Sequence, residues 1–237
     1  MKIVGFSQLH EELARGHLQY WLASMERVCD LIYIWDHNSQ DGSRDVYKEH
    51  HKCHVVEHPV NDFQRELYCK QDLLTKLLGE QPDTDWIFWM DGDTVLEERA
   101  HGEMRGYLDE CEADLVVLGH LQLWRGTTHH RTDSHFADLN AGVPAVWRVR
   151  EGMAFELKKG LHGLQFPPAA HQVRSPFQLL HLGFSTDHAI YDRIRKDPNV
   201  GHHERHYRAP RLVEVPAGML PPDVPVRPSN RQPLKRL

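Results

Sequence analysis

The stretch Trp86-Ile87-Phe88-Trp89-Met90-Asp91-Gly92-Asp93 constrains this chain more than any other. Its run of bulky apolar residues offers no polar face to water. It therefore reads as a strand covered on both sides, as at the centre of a parallel α/β sheet. The run stops at two acids separated by a glycine. Packing gives little reason to end a buried strand on two carboxylates, because an unpaired carboxylate at the edge of a core is costly. In open α/β sheets ligands bind just beyond the carboxyl ends of the strands. Two hard oxygen donors there suit Mg²⁺ or Mn²⁺ carrying a phosphate. A plain turn also suits these residues, since Asp-Gly is a common turn pair.

Strand and helix patterns alternate up to this run. Residues 2–7 read as a first strand. Residues 16–29 follow as an amphipathic helix with Leu18, Trp21, Leu22, Met25 and Val28 on one stripe. Residues 31–35 form a second buried strand. It ends in the turn-forming segment Asp36-His37-Asn38-Ser39-Gln40-Asp41-Gly42-Ser43. A short helix through Tyr47 and His50 leads to a third strand at residues 53–57. Residues 62–78 read as a helix that buries Leu67, Leu73, Leu74, Leu77 and Leu78, with Gly79 as its stop. This order predicts a Rossmann-like, mostly parallel sheet with right-handed crossovers and flanking helices. Further on, residues 97–111 predict a helix and residues 115–121 a strand. Residues 126–142 predict a polar loop, residues 146–155 a strand pair, residues 179–184 a short strand and residues 187–196 a short helix. A single domain over residues 1–215 is expected, followed by a Pro-rich basic tail at residues 216–237.

With 237 residues, 40% of them hydrophobic, the chain can bury a substantial core. Its apolar runs are short and broken by charges, so no transmembrane segment is expected. The start Met-Lys-Ile-Val-Gly-Phe lacks the pattern of a signal peptide. Cys29, Cys53, Cys69 and Cys111 show no CxxC spacing and fit reduced thiols, so a cytoplasmic protein is expected. The net charge of −6 hides an asymmetry: residues 193–237 hold ten Lys and Arg against four Asp and Glu. Such a basic part suits an anionic partner or a solvated tail equally. The 19 histidines are scattered, with no HExxH motif.

Two acid-bearing segments, each just past a buried strand, carry a resemblance. Asp36-His37-Asn38-Ser39-Gln40-Asp41-Gly42-Ser43 resembles the Asp-x-x-Ser-x-Asp-Gly-Ser/Thr segment of family 2 glycosyltransferases of the GT-A fold. Asp91-Gly92-Asp93 matches the Asp-x-Asp metal motif of that family. The similarity covers roughly residues 2–100 and is thinner over residues 147–194. It implies a nucleotide-sugar site built from Ser7, Asp36, Asp41, Arg65, Lys70, Asp91 and Gly92. Asp36 would accept a hydrogen bond from the base, Asp41 would order the loop, and Arg65 and Lys70 would help hold the diphosphate. Asp91, Asp93 and His181 would hold Mn²⁺ or Mg²⁺, the cation acting as a Lewis acid toward the departing nucleoside diphosphate. Arg65 and Lys70 read equally well as surface helix positions, and a lone His on an apolar strand is also a common core residue.

An inverting transferase also needs a base on the acceptor hydroxyl. Asp133, Asp138, Glu156 and His162 are the candidates, and Asp138 and His162 are taken as catalytic. His162 is followed by Gly163, where related enzymes often carry an acid. The expected donor is a nucleotide-sugar, a UDP-sugar by family habit. The acceptor is open among a nucleic acid with a hydroxylated base, a glycan, a lipid phosphate and a protein. Competing readings are a non-catalytic sugar-nucleotide-binding protein, a metal-dependent phosphatase and a nucleotidyltransferase. No glycine follows Asp93, unlike the phosphatase motif, and Ser7-Gln8-Leu9-His10-Glu11-Glu12 is acidic where a nucleotidyltransferase would be basic.

Overall fold

The computed structural model describes residues 1–133, 142–158, 166–186 and 211–229. Strands β1 (Ile3–Leu9), β2 (Leu31–His37), β3 (Cys53–His58) and β4 (Trp86–Trp89) pair in parallel in the order β3-β2-β1-β4. Each strand sends its apolar residues alternately to two faces. Ile3, Ile32, Ile34, Trp86 and Phe88 face one core, while Val4, Phe6, Tyr33, Trp35, Ile87 and Trp89 face the other. The first core is closed by α2 (Leu18–Val28) and by Ala100, Met104 and Leu108 of α5 (Glu98–Glu110). The second is closed by Leu67, Leu73, Leu74 and Leu77 of α4 (Glu66–Glu80). Both faces are thus covered, which is why these strands carry no polar stripe.

The sheet continues past β4 through β8 (Val143–Arg148), β6 (Leu115–Gln122), β9 (Gln172–His181) and β5 (Thr94–Leu96), eight strands in all. β8 runs antiparallel to both β4 and β6, β6 and β9 are parallel, and β5 is antiparallel to β9. The α/β alternation therefore describes the first half of the sheet, and the second half is mixed. A separate two-stranded ribbon pairs β7 (His129–Arg131) with β10 (Leu212–Glu214).

Several expectations need correction. Helix α4 passes through Gly79 and ends at Glu80, capped by Gln81. A short strand, β5, separates Asp93 from α5, because Thr94-Val95-Leu96 finds an open edge on β9. The expected strand pair at residues 146–155 is β8 alone, and the chain turns after Arg148 so that Phe155 packs on Phe6 and Trp147. The loop at residues 126–142 contains β7, and residues 134–141 lie outside the described residues. The strand expected at residues 179–184 is β9, which begins at Gln172 and ends at His181. A four-residue helix, α1 (Glu12–Arg15), precedes α2, and α3 (Ser43–Glu49) follows β2. The helix expected at residues 187–196 lies outside the described residues.

Val224, within the expected tail, is buried with Val95, Leu123, Leu180 and Leu182. Arg227 and Ser229 hydrogen-bond to Thr127 and Thr128. Among the described residues no helix is long and apolar enough to cross a membrane.

Trp147 is 1% exposed and packs edge-on against Phe6 at 5.6 Å. Replacing Trp147 by Ala should cost about 3–5 kcal/mol of unfolding free energy, the usual range for removing a buried large aromatic. Urea unfolding followed by circular dichroism checks this, with loss of less than ~1 kcal/mol as the contrary result.

Candidate active site at the carboxyl ends of the parallel strands

At the end of β2, Asp36 precedes the final residue His37, and its side chain is fully buried. Its Oδ1 accepts hydrogen bonds from the backbone N–H of Ser39 (2.9 Å) and from Arg44 Nε (2.6 Å). Its Oδ2 is buried and accepts no hydrogen bond from the protein. The rest of the segment ties this loop to the end of β1. Ser39 Oγ accepts from Glu11 N–H, Ser43 Oγ from Leu13 N–H, and Asp41 Oδ2 from Ala14 N–H at 2.7 Å. α1 is too short to satisfy its own first N–H groups, so the neighbouring loop satisfies them. Burial alone would raise the Asp41 carboxyl, but hydrogen bonds from Ser43 and Ala14 hold it below its usual range. Gly42 sits at φ +93°, a left-handed conformation that glycine adopts without strain. Glu11 and Asn38 also take positive φ, at 54° and 60°. Left-handed backbone at non-glycine residues thus occurs in both loops flanking the site.

β4 ends at Asp91-Gly92-Asp93. Ser7 Oγ donates to Met90 O at 2.7 Å and Trp21 Nε1 to the same oxygen at 3.4 Å, which fixes the strand end to β1 and α2. The Ser7 hydroxyl proton is therefore committed to the backbone. Asp91 is exposed to solvent, yet dense protein surrounds it on its other sides. That surrounding mass, and then the Asp93 charge, push its carboxyl up to about 6, against the pull of Lys70 and His181. A third acid stands beside these two. Glu12 is 4% exposed, and a Cβ on Gly92 would meet its Cδ at 2.5 Å. A larger residue at position 92 would have to displace the Glu12 carboxyl that lies against it. Arg15 meets Glu12 Oε1 at 3.0 Å, while Oε2 is buried and accepts no hydrogen bond from the protein. Burial first, then Asp93 and Asp91, raise Glu12 to about 8 against the opposing charge of Arg15.

His181 reaches this cluster through strand register. β5 pairs with β9 so that Thr94 lies opposite His181, and Leu182 N–H donates to Asp93 O at 2.7 Å. His181 Nε2 then lies 3.1 Å from Asp93 Oδ2, and its Nδ1 is buried without a hydrogen-bond partner. The edge of the His120 ring, from the adjacent β6, packs on His181 at 5.4 Å. Burial, and then the charge of His181, lower His120 to about 3, so it stays neutral at pH 7. His120 and Glu12 were not singled out in the sequence, and neither lies in a motif that would mark it.

Of the two expected diphosphate contacts, Arg65 is exposed, with its guanidinium 5.2 Å over the Tyr68 ring. Lys70 is 1% exposed, paired with Glu66 at 2.8 Å and 4.4 Å over the Trp89 ring, so it is not a surface position. Burial pulls the Lys70 ammonium down, while Glu66 and Asp91 oppose that. Among the base candidates, Asp133 meets Arg131 through both oxygens and accepts the Arg211 N–H. Burial would raise its carboxyl, but these partners hold it below the usual range, which makes it a poor base. Glu156 is exposed beside Phe155. Asp138 and His162 lie outside the described residues.

Asp93 and His181 suit a divalent cation. Two ligands at adjacent corners of an octahedron, about 2.1 Å from the metal, sit about 3 Å apart, close to the 3.1 Å seen here. A carboxylate oxygen with an imidazole nitrogen suits Mn²⁺. Asp91 does not complete the set, since the ligand atoms of Asp91, Asp93 and His181 do not all lie within 4.8 Å of one another.

A group bound to more protons folded than unfolded loses its stabilisation as pH rises. Glu12 titrates near 8 when folded and near 4.5 otherwise. Its contribution is complete below about pH 4.5 and lost as pH rises through 8. In chelator, unfolding free energy of the native sequence minus that of Glu12→Gln should fall steadily from pH 5 to pH 8. A flat difference over that range would contradict the environment assigned to Glu12.

No family model matches the sequence, and no curated protein does. Solved structures do. One is residues 1–349 of Staphylococcus aureus TarS, a GT-A-like glycosyltransferase, at 12% identity and TM-score 0.53, covering 86% of this chain and 69% of that one. The longer TarS structure matches at 12% identity and TM-score 0.54, with 86% of this chain aligned to 42% of it. TarS 1–349 in complex with UDP-GlcNAc matches at 11% identity and TM-score 0.52, with 86% and 70% coverage. At these identities the similarity concerns architecture, and together with the sheet order it establishes that this chain has the GT-A fold of glycosyltransferases.

Proposed function

We propose that this chain is a metal-dependent glycosyltransferase that moves a sugar, with inversion, from a UDP-sugar to an acceptor hydroxyl. The observation that carries the reading is the Asp93–His181 pair, 3.1 Å apart, just beyond the carboxyl end of β4. Ligands of such sheets bind at that edge. UDP and UDP-GlcNAc complexes of S. aureus TarS, which shares the fold, support a uridine nucleotide as the donor's carrier.

In this reading Asp36 Oδ2, buried and without a protein partner, accepts the N–H of the base, while Arg44 and Ser39 hold the carboxylate in place. Asp91 faces the ribose. Lys70, beside Asp91 in charge terms, places a buried positive charge where a diphosphate needs it. Asp93 and His181 would hold Mn²⁺ or Mg²⁺, which when bound would supply Lewis-acid neutralisation of the charge on the departing nucleoside diphosphate. Neutral His120 and the ring of Phe184, 5.3 Å from His181, keep the imidazole oriented. The base that takes the acceptor proton is assigned to Asp138 or His162. A phosphate-rich acceptor would be met by the basic stretch that includes Arg211. The four free thiols suit a cytoplasmic setting.

Calorimetric titration of UDP with and without Mn²⁺ tests this reading. Removing a residue that merely orients a metal ligand costs about 10–100-fold, so Asp93→Ala should weaken Mn²⁺-dependent UDP binding by at least about 100-fold while the circular dichroism spectrum is unchanged. Tight, metal-dependent binding by Asp93→Ala would remove Asp93 from the site. Asp36→Ala should weaken UDP by about 10–100-fold, the value of a hydrogen bond to a charged group, and leave Mn²⁺ affinity alone.

A further inference from the structure

A second group of metal-ligating side chains lies at the opposite edge of the sheet, near the amino ends of β2 and β3. Glu26 projects from α2, His50 caps the end of α3, and His51 follows in the turn before β3. One ligand atom from each of the three lies within 4.8 Å of the other two. His50 Nε2 is 3.5 Å from Glu26 Oε2, and the two imidazole rings stack at 4.9 Å. On its other side His50 Nδ1 is 3.6 Å from Cys53 Sγ. We propose that Glu26, His50 and His51 form a binding site for a borderline divalent cation of the Zn²⁺ class, distinct from the Asp93–His181 centre.

The chemistry of the donors sets the class. One carboxylate oxygen and two imidazole nitrogens are the ligand types Zn²⁺ takes in three-ligand sites, with a fourth position left for water. Mg²⁺ and Ca²⁺ prefer all-oxygen sites. A neutral imidazole that binds a metal through Nε2 must carry its proton on Nδ1, and an outer partner usually receives that proton. In the cation-free site His50 Nδ1 accepts the Lys52 backbone N–H at 3.4 Å, and Cys53 Sγ, 3.6 Å away, is the weak acceptor that would take the Nδ1 proton once a cation holds Nε2. The mutually close ligand atoms are those of Glu26, His50 and His51, and Cys53 is not among them.

The site also has a reason to be rigid. Lys52 Nζ, from the same turn, donates to the carbonyls of Glu26 (2.7 Å) and Cys29 (2.9 Å), so the turn already clamps the end of α2. Cys53 N–H donates to His50 O at 2.9 Å, which holds the turn closed. The ligands are therefore brought together before any cation binds. A bound cation adds a second link between α2 and the α3–β3 turn, and binding to the native state raises the unfolding midpoint by mass action.

Zn²⁺ titration of the full chain tests this, by calorimetry together with thermal unfolding. In an Asp93→Asn background, which disables the other centre, we expect one equivalent of Zn²⁺ to bind and raise the midpoint. Adding either Glu26→Gln or His50→Ala should weaken that binding at least tenfold and remove the shift. His51→Ala, at an exposed position, should do the same and guards against a packing defect. Absence of Zn²⁺ binding in Asp93→Asn, or unchanged affinity in the three further variants, would overturn the proposal. Neither result depends on whether UDP binds.

Discussion

Asp93 meets His181 because β5 turns back from the end of β4 and pairs with β9 in a register that sets Thr94 opposite His181. That contact joins the parallel half of the sheet to its mixed half. It also closes a cluster in which Glu12, Asp91 and Asp93 share one neighbourhood. Like charges this close in a low-dielectric setting cannot all ionise freely. The fold answers with Lys70, Arg15 and His181, and it keeps Glu12 protonated at neutral pH. A cation proposed between Asp93 and His181 would relieve the same repulsion.

The polar segment after β2 plays a less direct part. Ser39, Asp41 and Ser43 spend their oxygens on the N–H groups at the start of α1, and so set where Glu12 sits. Glu12 in turn fills the space that glycine leaves at position 92. The two acid-bearing segments recognised in the sequence are therefore mechanically connected: one positions the residue that packs on the other. Within the segment after β2, Asp36 Oδ2 is the carboxylate oxygen that no protein group hydrogen-bonds.

Much of this was legible beforehand. The apolar run into Asp91 and Asp93 had to be a central strand because it lacked a polar face, and the helix stripes around it were long enough to be periodic. What escaped the sequence was short or non-local. β5 is three residues leading straight into a helix, with no room for a period. Glu12 looked like part of an acidic turn, since its partner Gly92 is distant in the chain. Lys70 read equally well as a diphosphate contact or a surface position, since lysines are seldom buried, and the packing of α4 on Trp89 places it inside. His120 gains meaning through the parallel pairing of β6 with β9. Gly79 misled because a helical glycine stops a helix only where the backbone turns left-handed, and here it does not.

Anomalous diffraction from crystals grown with Mn²⁺ and UDP tests the central claim most directly. The account predicts a manganese peak bonded to Asp93 Oδ2 and His181 Nε2, with the uracil ring against Asp36 Oδ2. Manganese bound away from both Asp93 and His181, with nucleotide present, would contradict it.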